Sequence, residues 1–358
     1  MPEKGRPNEE MTLPEKSRSN RTSRSIRRAL GAALTGTLLL VIAPASATAA
    51  SAFVTQSFEP NGRSTATAQF LGAPGETNDV RVHELSRERF DFSDANNGIT
   101  PGKGCRRRGR SVRCDPRSLR PAPTNVAPAR VRLGNLDDEA LITGGRATLN
   151  GGSGNDTLTT NARTVNTTLL GGFGNDILAV SPNTTVGHTL RGNFGNDTIT
   201  GGPSGDAISG GFGNDSVTAL GGSDEVDGDD GDDTVTGGTG PDQLLGGDGD
   251  DRLFGNSGRD RLRGQNGSDG LAGGANNDRI GGGPGRDRLF GNDSNDLLVG
   301  NSGRDRYWGG PGNDRVRALD GIRERVNCGT GFDRALVDRM PRDVTAFCNE
   351  VRRVTFRR

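Results

Sequence analysis

From residue 199 to residue 316 one position in every nine is apolar: Ile199, Ile208, Val217, Val226, Val235, Leu244, Leu253, Leu262, Leu271, Ile280, Leu289, Leu298, Tyr307 and Val316. The residue before each is mostly Thr, Ser or Arg. Side chains alternate across a strand, so this pattern predicts a short strand with its middle residue pointing one way and its neighbours the other. One inward side chain per unit cannot form a core alone. Stacking the units gives one continuous apolar column, which is the pattern of a solenoid.

The rest of the unit is Gly-Gly-x-Gly-x-Asp, so the strand occupies positions 7 to 9 of a nonapeptide. Sixteen copies carry an aspartate at position 6: Asp156, Asp176, Asp197, Asp206, Asp215, Asp224, Asp233, Asp242, Asp251, Asp260, Asp269, Asp278, Asp287, Asp296, Asp305 and Asp314. Fourteen copies run unbroken from Gly192 to Arg317. Glycine at positions 1, 2 and 4 predicts positive φ and a sharp turn that gathers carbonyl oxygens. A carboxylate joining those carbonyls makes the hard oxygen donor set that Ca²⁺ prefers, so these sixteen aspartates are the candidate metal ligands. The repeats lack Cys and almost lack His, which argues against zinc and copper; Mg²⁺ demands tighter geometry and keeps its waters.

Units such as Gly171-Gly172-Phe173-Gly174-Asn175-Asp176-Ile177-Leu178-Ala179 and Gly309-Gly310-Pro311-Gly312-Asn313-Asp314-Arg315-Val316-Arg317 resemble the RTX (hemolysin-type) calcium-binding repeat. The resemblance covers residues 131–336. It implies an all-β fold, a right-handed parallel β-roll with two nonapeptides per coil. It also implies several Ca²⁺ ions held between turns eighteen residues apart, with Asp197 sharing sites with Asp215 and Asp206 with Asp224. Fourteen turns in two stacks of seven leave at most about twelve full sites.

Some units depart from the pattern. Ser204, Asn276 and Ser294 stand at position 4, and Ala219 and Leu220 replace a glycine pair; calcium is expected to be weaker or missing there. The copies at Gly151, Gly171 and Gly192 are about twenty residues apart, predicting coils with a glycine–aspartate turn on one side only. Arg132 to Ile142, with Asp137 and Asp138, reads as a degenerate first coil. A unit without an aspartate at position 6 spans Ala318 to Val326, and Cys328 to Asp333 reads as a last worn copy.

Composition limits the alternatives. Only 30% of residues are apolar and 58 are glycine, too little for a conventional core of 358 residues. Such a composition suits a disordered linker, but the fixed apolar register opposes that reading. Net charge is zero but unevenly spread. Gly192 to Asp251 holds 14 acidic residues and no Lys or Arg; Arg252 to Arg317 holds 8 acidic residues and 11 Arg. The acidic half argues against nucleic acid as a partner.

Residues 1–50 read as an export signal: Arg18, Arg21, Arg24, Arg27 and Arg28, then the apolar run Ala29 to Ile42, then small-x-small sites at Ala45-Ser46-Ala47 and Ala47-Thr48-Ala49. The run is short for a bilayer span, so no stable membrane insertion is expected and the protein is expected outside the cell, with the cell surface as a candidate location. Four cysteines agree with an oxidising compartment. Cys105–Cys114 and Cys328–Cys348 are the expected pairs, and sequence alone leaves the other pairings open.

Residues 51–130 are expected as a β-rich N-terminal cap, with strands at Ser64–Phe70 and Asp79–His83 and a turn at Ala73 to Glu76. This segment resembles the leader preceding such repeats in secreted actinobacterial proteins. Arg106 to Arg110 form a basic loop, and Pro121, Pro123 and Pro128 mark a linker or edge. The β-roll is assigned to 131–336 and a C-terminal cap to 337–358.

No His-Glu-x-x-His motif is present, and His83 and His188 lie in no triad context. Relatives exported as large toxins carry a C-terminal export signal, whereas this chain has an N-terminal one and a basic end. The expected function is a non-enzymatic, secreted calcium-binding rod. The alternative is a polysaccharide lyase or hydrolase on a solenoid. Phe254, Ala272, Phe290 and Trp308 at position 9, beside Arg252, Gly270, Arg288 and Arg306 at position 7, form a candidate outer ladder. It fits contact with cell-wall or extracellular polysaccharide, or stacking that only supports the sheet.

Overall fold

The structure, a computed structural model, describes residues 50–354 apart from 59–63, 74, 87–88, 95–99, 104, 109–110, 116–124, 127–128, 162 and 340–342. The expected leader, Pro74, Gly109, Arg110, Pro121, Pro123, Pro128 and the last four residues lie outside that set. The described residues are all-β, with no helix among them.

Two sheets form the solenoid, and successive strands of each are parallel. In one sheet Arg252 pairs with Gly270, Gly270 with Arg288 and Arg288 with Arg306. In the other, Glu225 pairs with Gln243 and Gln243 with Arg261. Each step is eighteen residues, so two nonapeptides make one coil and every position stacks on its own kind. All fourteen position-8 residues of the apolar period are buried in one core, including Tyr307.

The strands are longer than positions 7 to 9. Arg252–Ser257 and Arg261–Asn266 are typical: each runs on through positions 1 to 3 of the next unit. Within Arg252–Ser257 only Leu253 and Gly255 are buried, so position 1 faces inward like position 8.

This corrects the role expected for the first glycine. Positive φ occurs at positions 2 and 4, as in Gly247 (120°) and Gly249 (143°), but not at Gly246. Position 1 is glycine for space: a Cβ on Gly246 would collide with Asp251 Oδ2 and the carbonyl oxygen of Gly264.

The flanking segments extend the same two sheets. Ser64–Leu71 pairs parallel with Ala129–Asn135, and Asp79–Ser86 pairs parallel with Glu139–Ile142. These strands match the two expected from sequence. Antiparallel strands then cover the ends: Ser51–Phe58 on Ser64–Leu71, and Arg89–Asp94, Ser111–Cys114 and Cys105–Arg108 beyond Asp79–Ser86.

Phe70, Phe90 and Phe92 pack under them, with Phe70 and Phe92 centroids 6.1 Å apart. At the other end Arg334–Asp338 and Glu350–Val354 extend one sheet, and Arg325–Thr330 and Val344–Ala346 the other. The position proposed for the start of a C-terminal cap thus lies inside a strand. Both disulfides are formed, Cys105–Cys114 and Cys328–Cys348.

Candidate metal centre

A coil bends at each glycine–aspartate segment, so the position-6 carboxylates fall into two columns along the two bends. One column holds Asp156, Asp176, Asp197, Asp215, Asp233, Asp251, Asp269, Asp287 and Asp305. The other holds Asp206, Asp224, Asp242, Asp260, Asp278, Asp296 and Asp314. All sixteen are buried, none more than 4% exposed.

Within a column the carboxylates are linked by one repeated bond. The Asp233 N–H donates to Asp251 Oδ1 at 2.9 Å, and the Asp251 N–H to Asp269 Oδ1 at 2.9 Å. The other column repeats it: Asp242 N–H to Asp260 Oδ1 at 2.9 Å and Asp260 N–H to Asp278 Oδ1 at 2.8 Å. The pairs expected to share sites are joined this way, Asp197 to Asp215 and Asp206 to Asp224.

One oxygen of each carboxylate is thereby used and the other is left over. Oδ2 is buried without a hydrogen-bond partner in Asp156, Asp176, Asp197, Asp215, Asp224, Asp233, Asp242, Asp251, Asp260, Asp269, Asp278, Asp287, Asp296 and Asp314. Asp206 and Asp305 differ. Asp206 Oδ2 accepts from the Gly202 N–H at 2.6 Å, and Asp305 Oδ2 from the Tyr307 hydroxyl at 3.5 Å.

A buried carboxylate oxygen without a donor is costly, and either a bound cation or a proton removes the cost. The surroundings suit a cation. At position 1, Asp251 Oδ2 and the Gly264 carbonyl oxygen of the following turn both border the point a Cβ on Gly246 would occupy, and Asp215 Oδ2 and the Gly228 carbonyl oxygen do the same at Gly210. Carboxylate and carbonyl oxygens converge where a side chain would otherwise stand, so the residues present fit Ca²⁺. Three acidic, histidine or cysteine side chains do not gather as a metal-sized group among the described residues. The donors are instead spaced along columns and completed by main chain.

The electrostatics carry the same message. Burial, opposed by the N–H bond to Oδ1 and reinforced by carboxylates in adjoining turns, pushes Asp233 and Asp296 up to about 8. It pushes Asp176, Asp215, Asp224, Asp251, Asp278 and Asp287 up to about 7. Asp156, Asp197, Asp242, Asp269 and Asp314 rise to about 6. Without a counterion these columns hold protons near neutral pH.

The irregular units show how the bend tolerates change. Leu220 adopts φ 76° and Ser294 φ 89°, keeping the loop shape against their side chains. Neither Gly202 nor Ser204 takes positive φ, and the loop there closes on Asp206 Oδ2 itself. Ala219 puts a buried methyl at position 1 of its unit.

Several participants were not among the sixteen. His188 fills the position-6 slot one turn before Asp206: its N–H donates to Asp206 Oδ1 at 2.6 Å, and its Nδ1 accepts from the Thr167 N–H at 3.3 Å. The eighteen-residue spacing from His188 to Asp206 was the available signal. Asp138 precedes Asp156, and Asp333 follows Asp314, through the same bond. Glu324 stands in the slot of the unit that lacks an aspartate at position 6, its N–H donating to Asp343 Oδ1 at 2.9 Å.

Position 5 forms a second ladder of opposite polarity. The Asp250 N–H donates to Asp232 Oδ1 at 2.8 Å and the Ser268 N–H to Asp250 Oδ1 at 2.7 Å.

On the outer surface Phe254, Ala272, Phe290 and Trp308 are in register, and Phe290 stacks on Trp308 at 4.5 Å. Arg252, Arg288 and Arg306 stand exposed alongside. A separate ladder at position 3, Phe173–Phe194–Phe212, stacks at 4.7 and 5.0 Å with its rings about half exposed.

Compared with known families, the chain matches the model of the RTX calcium-binding nonapeptide repeat (4 copies) at residues 142–162, 189–217, 209–244, 245–280 and 281–316. No curated protein matches it.

Proposed function

Residues 142–316 belong to the RTX calcium-binding nonapeptide repeat family, and from that premise we propose a secreted, non-enzymatic protein that folds on Ca²⁺ and presents a rigid β-roll outside the cell. The observation that carries the reading is the row of buried, unpartnered Oδ2 atoms beside main-chain carbonyls in both columns. The position-6 aspartates supply the carboxylates, those of Asp206 and Asp305 having both oxygens already engaged, and the first glycine of the following turn supplies a carbonyl. Calcium bound there neutralises the columns and adds its binding free energy to folding.

Two disulfides support an oxidising compartment for the mature chain. No helix among the described residues is long and apolar enough to cross a membrane. Burial of the carboxylates supports the non-enzymatic reading, because a polysaccharide-cleaving pair must reach a polymer. Contact with cell-wall or extracellular polysaccharide is assigned to the outer ladder. Beside it lies a cleft of about 370 Å³ lined by Arg252, Arg286, Arg288, Arg304 and Arg306 together with Asp250, Asp251, Asp269 and Asp287.

Calcium titration followed by circular dichroism tests the central claim. The expected result is a large gain of β signal as Ca²⁺ replaces chelator. A compact, protease-resistant protein in excess chelator, with no spectral change on adding Ca²⁺, overturns it. For the outer surface, Phe254→Ala, Phe290→Ala and Trp308→Ala together are expected to abolish retention on cell wall while leaving calcium-induced folding intact. Loss of folding would return the rings to the scaffold.

A further inference from the structure

The outer face of the solenoid changes charge along its length. On the sheet that carries Glu225 and Gln243, position 7 continues as Arg261, Arg279, Leu297 and Arg315, in register on successive strands. The bends leading into those strands carry Arg259, Asn277, Asn295 and Asn313 at position 5. All eight side chains are exposed. Among the described residues none of Arg259, Arg261, Arg279 and Arg315 forms an ion pair. Arg334, the next in the row, does, with Glu350 at 2.8 Å. Arg261 and Arg279 lie side by side on adjacent strands, where like charges repel. An anion from outside the chain would relieve that repulsion.

A groove of about 810 Å³ runs along this bend, and all four arginines and all three asparagines line it. Leu297 lies between Arg279 and Arg315, and Pro241 and Gln243 close one end. Asp242, Asp260, Asp278 and Asp296 also line it, but they are the buried acids of the second column. One oxygen of each already accepts an N–H from the preceding turn. The smaller cleft at the other bend differs, because the exposed Asp250 lines it.

The main chain orients the asparagine amides. Asn277 Oδ1 accepts from the Asn295 N–H at 3.1 Å, Asn295 Oδ1 from the Asn313 N–H at 2.7 Å, and Asn313 Oδ1 from the Phe332 N–H at 2.7 Å. With the oxygen taken, each amide offers the groove its NH2 group. The groove is therefore rich in donors, some charged and some neutral. Four coils separate Pro241 from Asn313, about 19 Å at a strand spacing of about 4.8 Å. That length suits a chain rather than a small molecule.

We propose that this groove binds a linear polyuronate, an acidic polysaccharide with one carboxylate per sugar. Guanidinium forks match carboxylates two hydrogen bonds at a time. Arg261, Arg279 and Arg315 recur at one-coil and two-coil intervals, about 5 and 10 Å, the scale on which such a chain repeats its carboxylates. The asparagine NH2 groups meet the hydroxyl oxygens between them, and Leu297 takes the apolar face of a sugar. Nucleic acid is the rival polyanion, but no aromatic side chain lines the groove to stack a base. The groove is separate from the ladder of Phe254, Phe290 and Trp308, which lies on the other sheet. Calcium enters only through the wall, whose buried acids must be neutralised by a cation or a proton before an anion approaches.

The test is calorimetric titration of the full chain, at fixed free calcium, with a short galacturonate oligomer. Its methyl-esterified form and single-stranded DNA of equal charge are the comparisons. The expected result is binding of galacturonate about tenfold tighter than of either. Arg261→Gln, Arg279→Gln and Arg315→Gln together should lose about tenfold or more of that affinity while taking up the parent's amount of calcium. Equal binding of the ester, or a triple variant with the parent's affinity, overturns the proposal. DNA bound as tightly as galacturonate also overturns it and assigns the groove to nucleic acid.

If the triple variant gains no β structure in calcium, Arg279→Gln alone is judged by the same readings, with an expected loss of about threefold or more. The groove and the calcium reading fail separately. A parent that takes up no calcium but binds galacturonate through these arginines refutes the calcium reading alone. A parent that takes up calcium and does not bind galacturonate refutes the groove alone.

Discussion

The coils between residues 147 and 200 and those between 207 and 317 share one fold but close their second bend differently. In the later coils both bends are glycine–aspartate loops with an acid column. In the earlier coils the first bend is of that kind, with Asp156 and Asp176, but the second is built from neutral groups. There Thr164 Oγ1 donates to the Asn161 carbonyl, Thr167 Oγ1 to the Val165 carbonyl, and the Ser181 N–H donates to Thr160 Oγ1. His188, whose proton affinity burial lowers, ends the second column.

The contrast separates the solenoid from the metal. A bend can be satisfied by threonine and asparagine without any cation. An acid column cannot, because half its oxygens have no donor. Dependence on calcium is thus expected to grow from the single-column coils to the double-column ones.

Removing calcium should break the two regions apart most strongly. In excess chelator, hydrogen exchange of residues 207–317 is expected to approach that of unfolded chain. Residues 147–200, standing on the N-terminal strands, should retain measurable protection. Uniform protection along the whole solenoid in chelator would remove the distinction.

Acid should partly substitute for calcium. Folded values of about 6 to 8 lie above the ordinary 3.8, so the metal-free folded state holds protons that the unfolded chain releases. That stabilisation is fully present below about pH 4 and is lost as pH rises through 6 to 8. In chelator, lowering the pH from 8 to 4.5 is expected to restore β signal, chiefly in 207–317. In saturating calcium the same change should weaken binding, since protons compete for the same oxygens. A chelated protein equally unfolded at both values would contradict the burial assigned to the columns.

Single carboxylates sharpen the comparison within one loop. Asp251→Ala removes the acceptor of the Asp233 N–H and a candidate ligand, and should cost roughly 2–4 kcal/mol of calcium-loaded stability. Asp250→Ala removes only the exposed acceptor of the Ser268 N–H and should cost about 1 kcal/mol or less. Denaturation at fixed free calcium compares them, and equal losses would refute the register.

The smallest expected effect is a gain. Leu220 sits at φ 76°, so Leu220→Gly should stabilise the loaded protein by about 1 kcal/mol. No change in the midpoint would mean the loop relaxes instead.

Much of this was legible because the repeat is strict. Fourteen apolar residues nine apart could only be buried by stacking, and sixteen aspartates in the same register had to fall on the same bends. The disulfide pairs were expected but left open by the sequence, and the folded chain forms Cys105–Cys114 and Cys328–Cys348. Less legible was anything that depended on a neighbour eighteen or nineteen residues away without the repeat's own letters. His188 has the right spacing but the wrong chemistry, and Glu324 is one residue out of phase with Asp305. The position-5 ladder was missed because Asn, Asp and Ser there looked like ordinary loop residues. The first glycine was misread as a φ requirement, when its role depends on an oxygen brought from its own aspartate and another from the next turn.

The sequence by itself determined the period, the inward column and the identity of the repeated acid, since local alternation and fixed spacing suffice for each. Only the tertiary structure decided which oxygens of those acids are used and which are left. Each Oδ1 is satisfied by an N–H in the adjacent turn, and each Oδ2 except those of Asp206 and Asp305 is left buried without a partner. It also decided that the flanks share the two sheets. The physical reason is common to all of these: hydrogen-bond satisfaction and burial belong to contacts between coils, and no single coil contains them.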